Sequence, residues 1–142
     1  MEHKRTVRKS WLAMCAAAAA FLVLPIAPAG AVVAVATQSS AQTGYVTPVV
    51  VTAEGGVVEF SNSDLIPHDM TADGLYLSKK AAKKQPWCKS YPKKGCPLFT
   101  TGVTASGSVS ELQGLDLVES GKQYAFICSL HPSTMKGTLV IP

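Results

Sequence analysis

The chain has 142 residues and a formal net charge of +4 at pH 7. That length argues for one domain, and 47% hydrophobic against 15% charged residues argues against disorder over most of it. The charge is uneven. Lys4, Arg5, Arg8 and Lys9 stand against Glu2 in the first ten residues, and the remainder carries nine lysines, eight acids and no arginine. A chain without arginine lacks the bidentate contacts to phosphate and guanine, which argues against nucleic-acid binding.

The basic start is followed by an uncharged stretch from Trp11 to Thr43, whose first part, WLAMCAAAAAFLVLPIA, is strongly apolar. A charged head and an apolar run read as a secretory signal. Small residues offer cleavage after Ala31 (Ala29-Gly30-Ala31) or after Ala36 (Ala34-Val35-Ala36). The rival reading is an uncleaved anchor: the run is long enough to span a bilayer, but Pro25, Pro28 and Gly30 interrupt it. Cys15 is a poor lipidation site, because the bulky Met14 precedes it and the apolar core continues beyond it. The expected organisation is a signal over 1–31 (or to 36), a flexible leader over 32–44, and one exported domain over 45–142. The mature chain then has about 106 to 111 residues, enough for one sandwich core.

From Tyr45 the pattern is that of short strands. Residues 45–52 (YVTPVVVT) are β-branched, with Pro48 marking an edge or a bulge. Glu54-Gly55-Gly56 is a turn, and residues 57–62 (VVEFSN) alternate apolar and polar positions. Residues 64–72 lead through Pro67 into a short extended piece. Residues 74–99 break the rhythm: LSKKAAKK suits two turns of helix, and PWCKSYPKKGCPLF is rich in Pro, Lys and Cys. Seven of the nine lysines beyond the leader lie in this excursion, between 79 and 94. Residues 106–112, 122–128 and 137–141 complete the strands. The sum predicts an all-β, antiparallel sandwich with one short helical or irregular excursion.

Outside the leader there are two histidines, His68 and His131. His131 belongs to Cys128-Ser-Leu-His131-Pro-Ser-Thr-Met135, between two predicted strands at the end of the chain. A thiol, an imidazole and a thioether thus hang on one turn, and His68 must join them from an earlier strand. Thiolate and imidazole with a weak thioether make an electron-transfer copper site: sulfur favours Cu(I), and imidazole suits both oxidation states. Cys88 and Cys96, eight apart in a Pro/Gly-rich segment, read as a disulfide in an exported protein. As a second metal site they lack a histidine partner. The lysine run reads as a solvated face, or as a surface attracting an acidic partner or an anionic surface.

Residues 122–141, KQYAFICSLHPSTMKGTLVI, resemble the C-terminal copper loop of the blue-copper family, the cupredoxins (plastocyanin, pseudoazurin, amicyanin, azurin). The upstream SNSDLIPHDMTA resembles that family's first-histidine segment. The resemblance implies a Greek-key β-sandwich holding one type 1 copper ion. Cys128 gives the thiolate, His68 and His131 the imidazoles, and Met135 a long axial bond. Cys-x2-His is plastocyanin-like, whereas His-x3-Met differs from the longer gap of plastocyanin and the shorter one of amicyanin. Azurin has that second gap but a longer first one, so the spacing matches no single subfamily. Asp69 follows His68 where plastocyanins often carry Asn, and it is expected to meet the Ser129 region as a brace. Met70 reads as packing. Leu130, Pro132, Ile66 and Pro67 make an apolar surround through which, in this family, redox partners approach the exposed histidine edge; simple loop packing is the other reading.

The expected function is therefore a monomeric, exported carrier of single electrons between redox partners, not an enzyme. Copper storage, delivery or sensing is the alternative, but delivery proteins expose Met- or His-rich clusters, which this sequence lacks. An oxidase needs further copper sites built from many histidines, and a Ser-His-Asp set cannot be assembled without using these two. A purely adhesive sandwich leaves the ligand pattern unexplained.

Overall fold

The computed structural model describes residues 44–91 and 95–142, together with the backbone of Val32–Ala36. The signal expected over 1–31 lies outside the described residues. Two sheets form the body. One has the order β1 (Val32–Ala36), β3 (Val58–Asn62), β5 (Val109–Glu111); the other has the order β2 (Val49–Val51), β7 (Lys136–Ile141), β6 (Lys122–Ile127), β4 (Thr71–Ala72). The strands sit where β-branched and aromatic residues alternate with polar ones. In β3 and β6, for example, Val58, Phe60, Tyr124 and Phe126 are buried while Glu59 and Ala125 are exposed.

The β-sandwich is as expected, but its strands are not all antiparallel. β3–β5, β4–β6 and β6–β7 are antiparallel, but β1 runs parallel to β3 and β2 runs parallel to β7. The first two strands each join the sheet edge left open by a later strand, one in each sheet. Pro48 fits the edge position expected of it: it precedes edge strand β2, and its carbonyl accepts from Thr138 N at 2.7 Å. A strand lies within the stretch expected to be a leader over 32–44. Val32–Ala36 (VVAVA) pairs with Val58–Asn62, as its β-branched valines favour, while residues 37–43 lie outside the described residues.

The core between the sheets is aromatic. Phe60, Phe99 and Phe126 are fully buried, with Val50, Val58, Leu139 and Ile141 around them. Tyr45 makes edge-on contacts with Phe126 at 4.9 Å and with Phe60 at 6.0 Å, so one ring touches a strand of each sheet. Gly137 in β7 is required by this packing, because a Cβ there would run into the Phe126 ring.

The excursion is built as expected, though its helix is shorter. Helix α1 spans only Lys79–Ala82, with the Ser78 hydroxyl accepting from Ala81 N at 3.2 Å. A 3₁₀ turn, Pro86–Ser90, follows, and a disulfide joins Cys88 to Cys96. At the neck, Leu77 N donates to Cys96 O and Leu98 N to Leu75 O. Closing so short a loop removes unfolded-state freedom worth about 2–3 kcal/mol. The Cys88→Ser/Cys96→Ser double variant is expected to lose about that much stability in urea unfolding followed by Tyr and Trp fluorescence, with the sandwich itself intact by far-ultraviolet circular dichroism.

Candidate metal centre

Cys128 leaves the end of β6, and Met135 stands just before β7. The loop between them closes on itself. Cys128 N donates to Met135 O at 3.0 Å, His131 N to Cys128 O at 3.0 Å, and Met135 N to His131 O at 3.0 Å. Three side chains are thereby fixed by a single turn of main chain. Cys128 and Met135 are buried, and His131 is half-buried.

His68 arrives from the segment before β4. Its main chain exchanges two hydrogen bonds with Thr104, His68 N to Thr104 O at 3.1 Å and Thr104 N to His68 O at 2.7 Å. The approach is shaped by Asn62, whose amide donates to Ile66 O (2.8 Å) and Thr104 O (3.0 Å) while its oxygen accepts from Asp64 N (3.0 Å). The Asp64 carboxylate in turn bonds His68 Nε2 at 2.8 Å. This leaves Nδ1 as the nitrogen turned to the thiol, 3.7 Å from Cys128 Sγ. His131 Nδ1 lies 3.6 Å from the same sulfur.

The three candidate ligand atoms lie within 4.8 Å of one another. Sulfur–nitrogen separations of 3.6 and 3.7 Å leave room for an ion bonded to each atom at roughly 2.0–2.3 Å. A thiol, two imidazoles and a thioether from Met135 nearby are the soft, mixed donor set that suits copper. Burial pushes the Cys128 thiol up from its ordinary range, with the Asp69 N–H opposing that shift. The hydrogen bond from His68 holds the Asp64 carboxyl below its ordinary range.

Asp69 makes the contact expected of it. Its carboxylate accepts from Ser129 N at 2.5 Å, from the Ser129 hydroxyl at 2.6 Å and from the Thr71 hydroxyl at 3.0 Å. Its own N–H points at Cys128 Sγ, 3.5 Å away, and its carbonyl accepts from the Tyr45 hydroxyl at 2.5 Å. Met70 is buried in the core, as expected of packing. Asn62, Asp64 and Tyr45 were not singled out from the sequence. For the first two a signal exists, since Asn and Asp before a proline are turn formers whose side chains bond nearby main chain.

No family model matches the chain, and no curated protein matches it. Solved structures do. Auracyanin A, described as a "blue" copper protein from the green thermophilic photosynthetic bacterium Chloroflexus aurantiacus, superposes with a TM-score of 0.54 at 14% identity, over 80% of this chain and 98% of that one. A reduced amicyanin variant gives 0.51 at 20% identity, over 80% and 83%. An oxidised amicyanin variant gives 0.53 at 19%, over 80% and 84%. The chain therefore has the cupredoxin fold, and His68, Cys128 and His131, with Met135 nearby, form a candidate copper site within it.

Partners that orient a metal-binding histidine typically carry 10- to 100-fold in metal affinity. Asp64→Ala is expected to weaken Cu(II) binding by about that much in a competition titration, while the thermal midpoint of the metal-free protein falls only slightly. Asp69→Ala removes three acceptor contacts at once. It is expected to cost roughly 3 kcal/mol of stability and to change both the colour and the reduction potential of the copper-loaded protein. An unchanged colour and potential would reduce Asp69 to a purely structural residue.

Proposed function

We propose that this chain is an exported carrier of single electrons, holding one copper ion through His68, Cys128, His131 and Met135 and serving redox protein partners. The observation that carries the reading is the convergence of one buried thiol and two imidazole nitrogens within 4.8 Å, at the end of a cupredoxin sandwich. When bound, copper supplies a one-electron Cu(I)/Cu(II) couple. The side chains are held where they are by bonds that do not involve an ion: Asp64 holds the His68 ring, and the loop's own main chain holds His131 and Met135. Little has to move when charge at the site changes, and that is the property an electron carrier needs. The Asp69 N–H lies against Cys128 Sγ and supports negative charge on the sulfur.

Access supports the same reading. His68, Cys128 and Met135 are buried, which suits neither storage nor delivery, since both depend on ligands open to exchange. His131 is the one ligand with partial exposure, and Leu130 beside it is 49% exposed, with Ile66 at 40% near His68. An apolar surround at a ligand edge favours brief contact with a partner over tight binding. Amicyanin and auracyanin A supply the analogy for the copper and its redox states, since the structures compared are described as Cu(I), oxidised or blue copper forms.

The visible and electron-spin spectra of the protein reconstituted with Cu(II) test this, beside Cys128→Ser. The expected result is an intense blue band with narrow copper hyperfine splitting, absent from the variant. A copper signal indifferent to Cys128 would overturn the carrier reading.

Export adds a second expectation. Strand β1 begins at Val32, directly after the Ala29-Gly30-Ala31 site, and it covers the edge of β3. Cleavage after Ala36 would remove it. N-terminal sequencing of protein recovered outside the cytoplasm is expected to start at Val32.

A further inference from the structure

A cavity of about 490 Å³ lies where the excursion meets the body. The excursion lines it with Trp87, Ser90 and Tyr91, and the body with Thr101, Val103 and Gln113. That volume is in the range of small-molecule sites. None of His68, Cys128, His131 and Met135 lines it, so it is separate from the candidate metal centre. Among the described residues, none that lines it carries a charge. An ion of either sign therefore finds no counter-charge there.

The walls do offer hydrogen bonds of both kinds. Trp87 Nε1 is buried and, among the described residues, its N–H has no acceptor. A buried donor is costly in that condition, and an acceptor seated beside Trp87 satisfies it. Tyr91 is placed to accept. Thr71 gives its one hydroxyl proton to Asp69, so Thr100 donates to Thr71 (2.8 Å) and Tyr91 donates to Thr100 (3.1 Å). Tyr91 has then given up its only proton, and its phenol oxygen keeps a lone pair for an incoming donor. The Gln113 main chain is paired in both directions with Thr100, at 2.9 and 3.0 Å. Its side-chain amide stands apart from that pairing and supplies a donor and an acceptor together. The ligand that fits is neutral, donates and accepts, and has apolar surface for the two aromatic side chains. A pyranose has this chemistry: its hydroxyls do both, and its C–H faces pack on aromatic rings.

We propose that this cavity is a carbohydrate site, taking a neutral pyranose, free or at the end of a glycan, through the Trp87 N–H, the Tyr91 oxygen and the Gln113 amide. The site goes beyond the electron-carrier reading and does not depend on it. A proline-rich peptide also seeks aromatic side chains and an indole donor. Its prolines carry carbonyls but no N–H, so they leave the Tyr91 oxygen and the Gln113 carbonyl without donors.

The test titrates methyl β-glucoside and cellotetraose in turn into the ¹⁵N-labelled protein, with and without Cu(I). The readout is the Trp87 indole N–H resonance, assigned by its loss in Trp87→Phe. It is expected to move downfield, together with the Gln113 side-chain amide. Equal affinity for the two probes would identify a free sugar as the ligand, and tighter binding of cellotetraose a glycan end. Gln113→Leu is expected to weaken binding about tenfold. Val103 is 61% exposed, so Val103→Trp fills the cavity from its open side. That variant is expected to abolish binding with the thermal midpoint unchanged, which keeps the test decisive where Gln113→Leu loses stability. An indole resonance unmoved by both sugars at roughly 10 mM, where a site of about 1 mM affinity is nearly full, would overturn the proposal. So would full binding by Val103→Trp, which would place the sugar elsewhere, or larger shifts with polyproline than with either sugar.

Discussion

One side chain, Asp69, sets the distance between the two segments that carry the candidate ligands. It follows His68 directly, and its carboxylate grips Ser129, the residue after Cys128. Fifty-nine and sixty residues separate the partners of these contacts, so no local turn could hold them together. The Asp69 main chain closes the arrangement, with its N–H on Cys128 Sγ and its carbonyl taking the Tyr45 hydroxyl. Tyr45 in turn wedges its ring between Phe60 and Phe126. The aromatic core and the metal centre are thus joined through one residue.

A carboxylate that is 1% exposed is costly unless its lone pairs are occupied. Here three donors occupy them, one of them a main-chain amide, and the pairing makes the burial affordable. The same reasoning covers Tyr45, whose burial holds its phenol well above the ordinary range and keeps it a neutral donor. It also covers Asp64, which answers both His68 Nε2 and the main-chain N–H of Leu65. Asp69, Asp64 and Tyr45 each have a partner that is not a metal. These contacts tie both ligand-bearing segments to the fold itself.

How much of this was legible beforehand depended on whether the signal was local. The Cys128–Met135 spacing and the strands beside it lie within one stretch of chain, so the loop and three of the candidate ligand positions could be read from local signal. His68 could be read only because few histidines competed with it. The Asp69–Ser129 contact followed from the resemblance and was found. The parallel placement of β1 and β2 was not legible, because alternation shows which face of a strand is buried and says nothing about the direction of its neighbour. Helix α1 came out shorter than LSKKAAKK suggests. Lysine and alanine favour helix, but no residue of the helix is buried, so no packing extends it past Ala82. Asp64 reaches His68 in an irregular loop shaped by Asn62, and that shape has no periodic signature.

The excursion is attached to the body without entering its core. Residues 75–98 leave and rejoin the body through a narrow neck of main-chain bonds, and the disulfide closes the segment on itself. Among the described residues a sideways hydrogen bond to the body runs from Tyr91 to Thr100, two hydroxyls away from Asp69. Because no helical residue of α1 is buried, lysines there cost the core nothing. Surface charge can therefore change on this segment without disturbing Phe60, Phe126 or the ligands. The hydroxyl chain still ties the attachment to Asp69, the residue that holds Ser129.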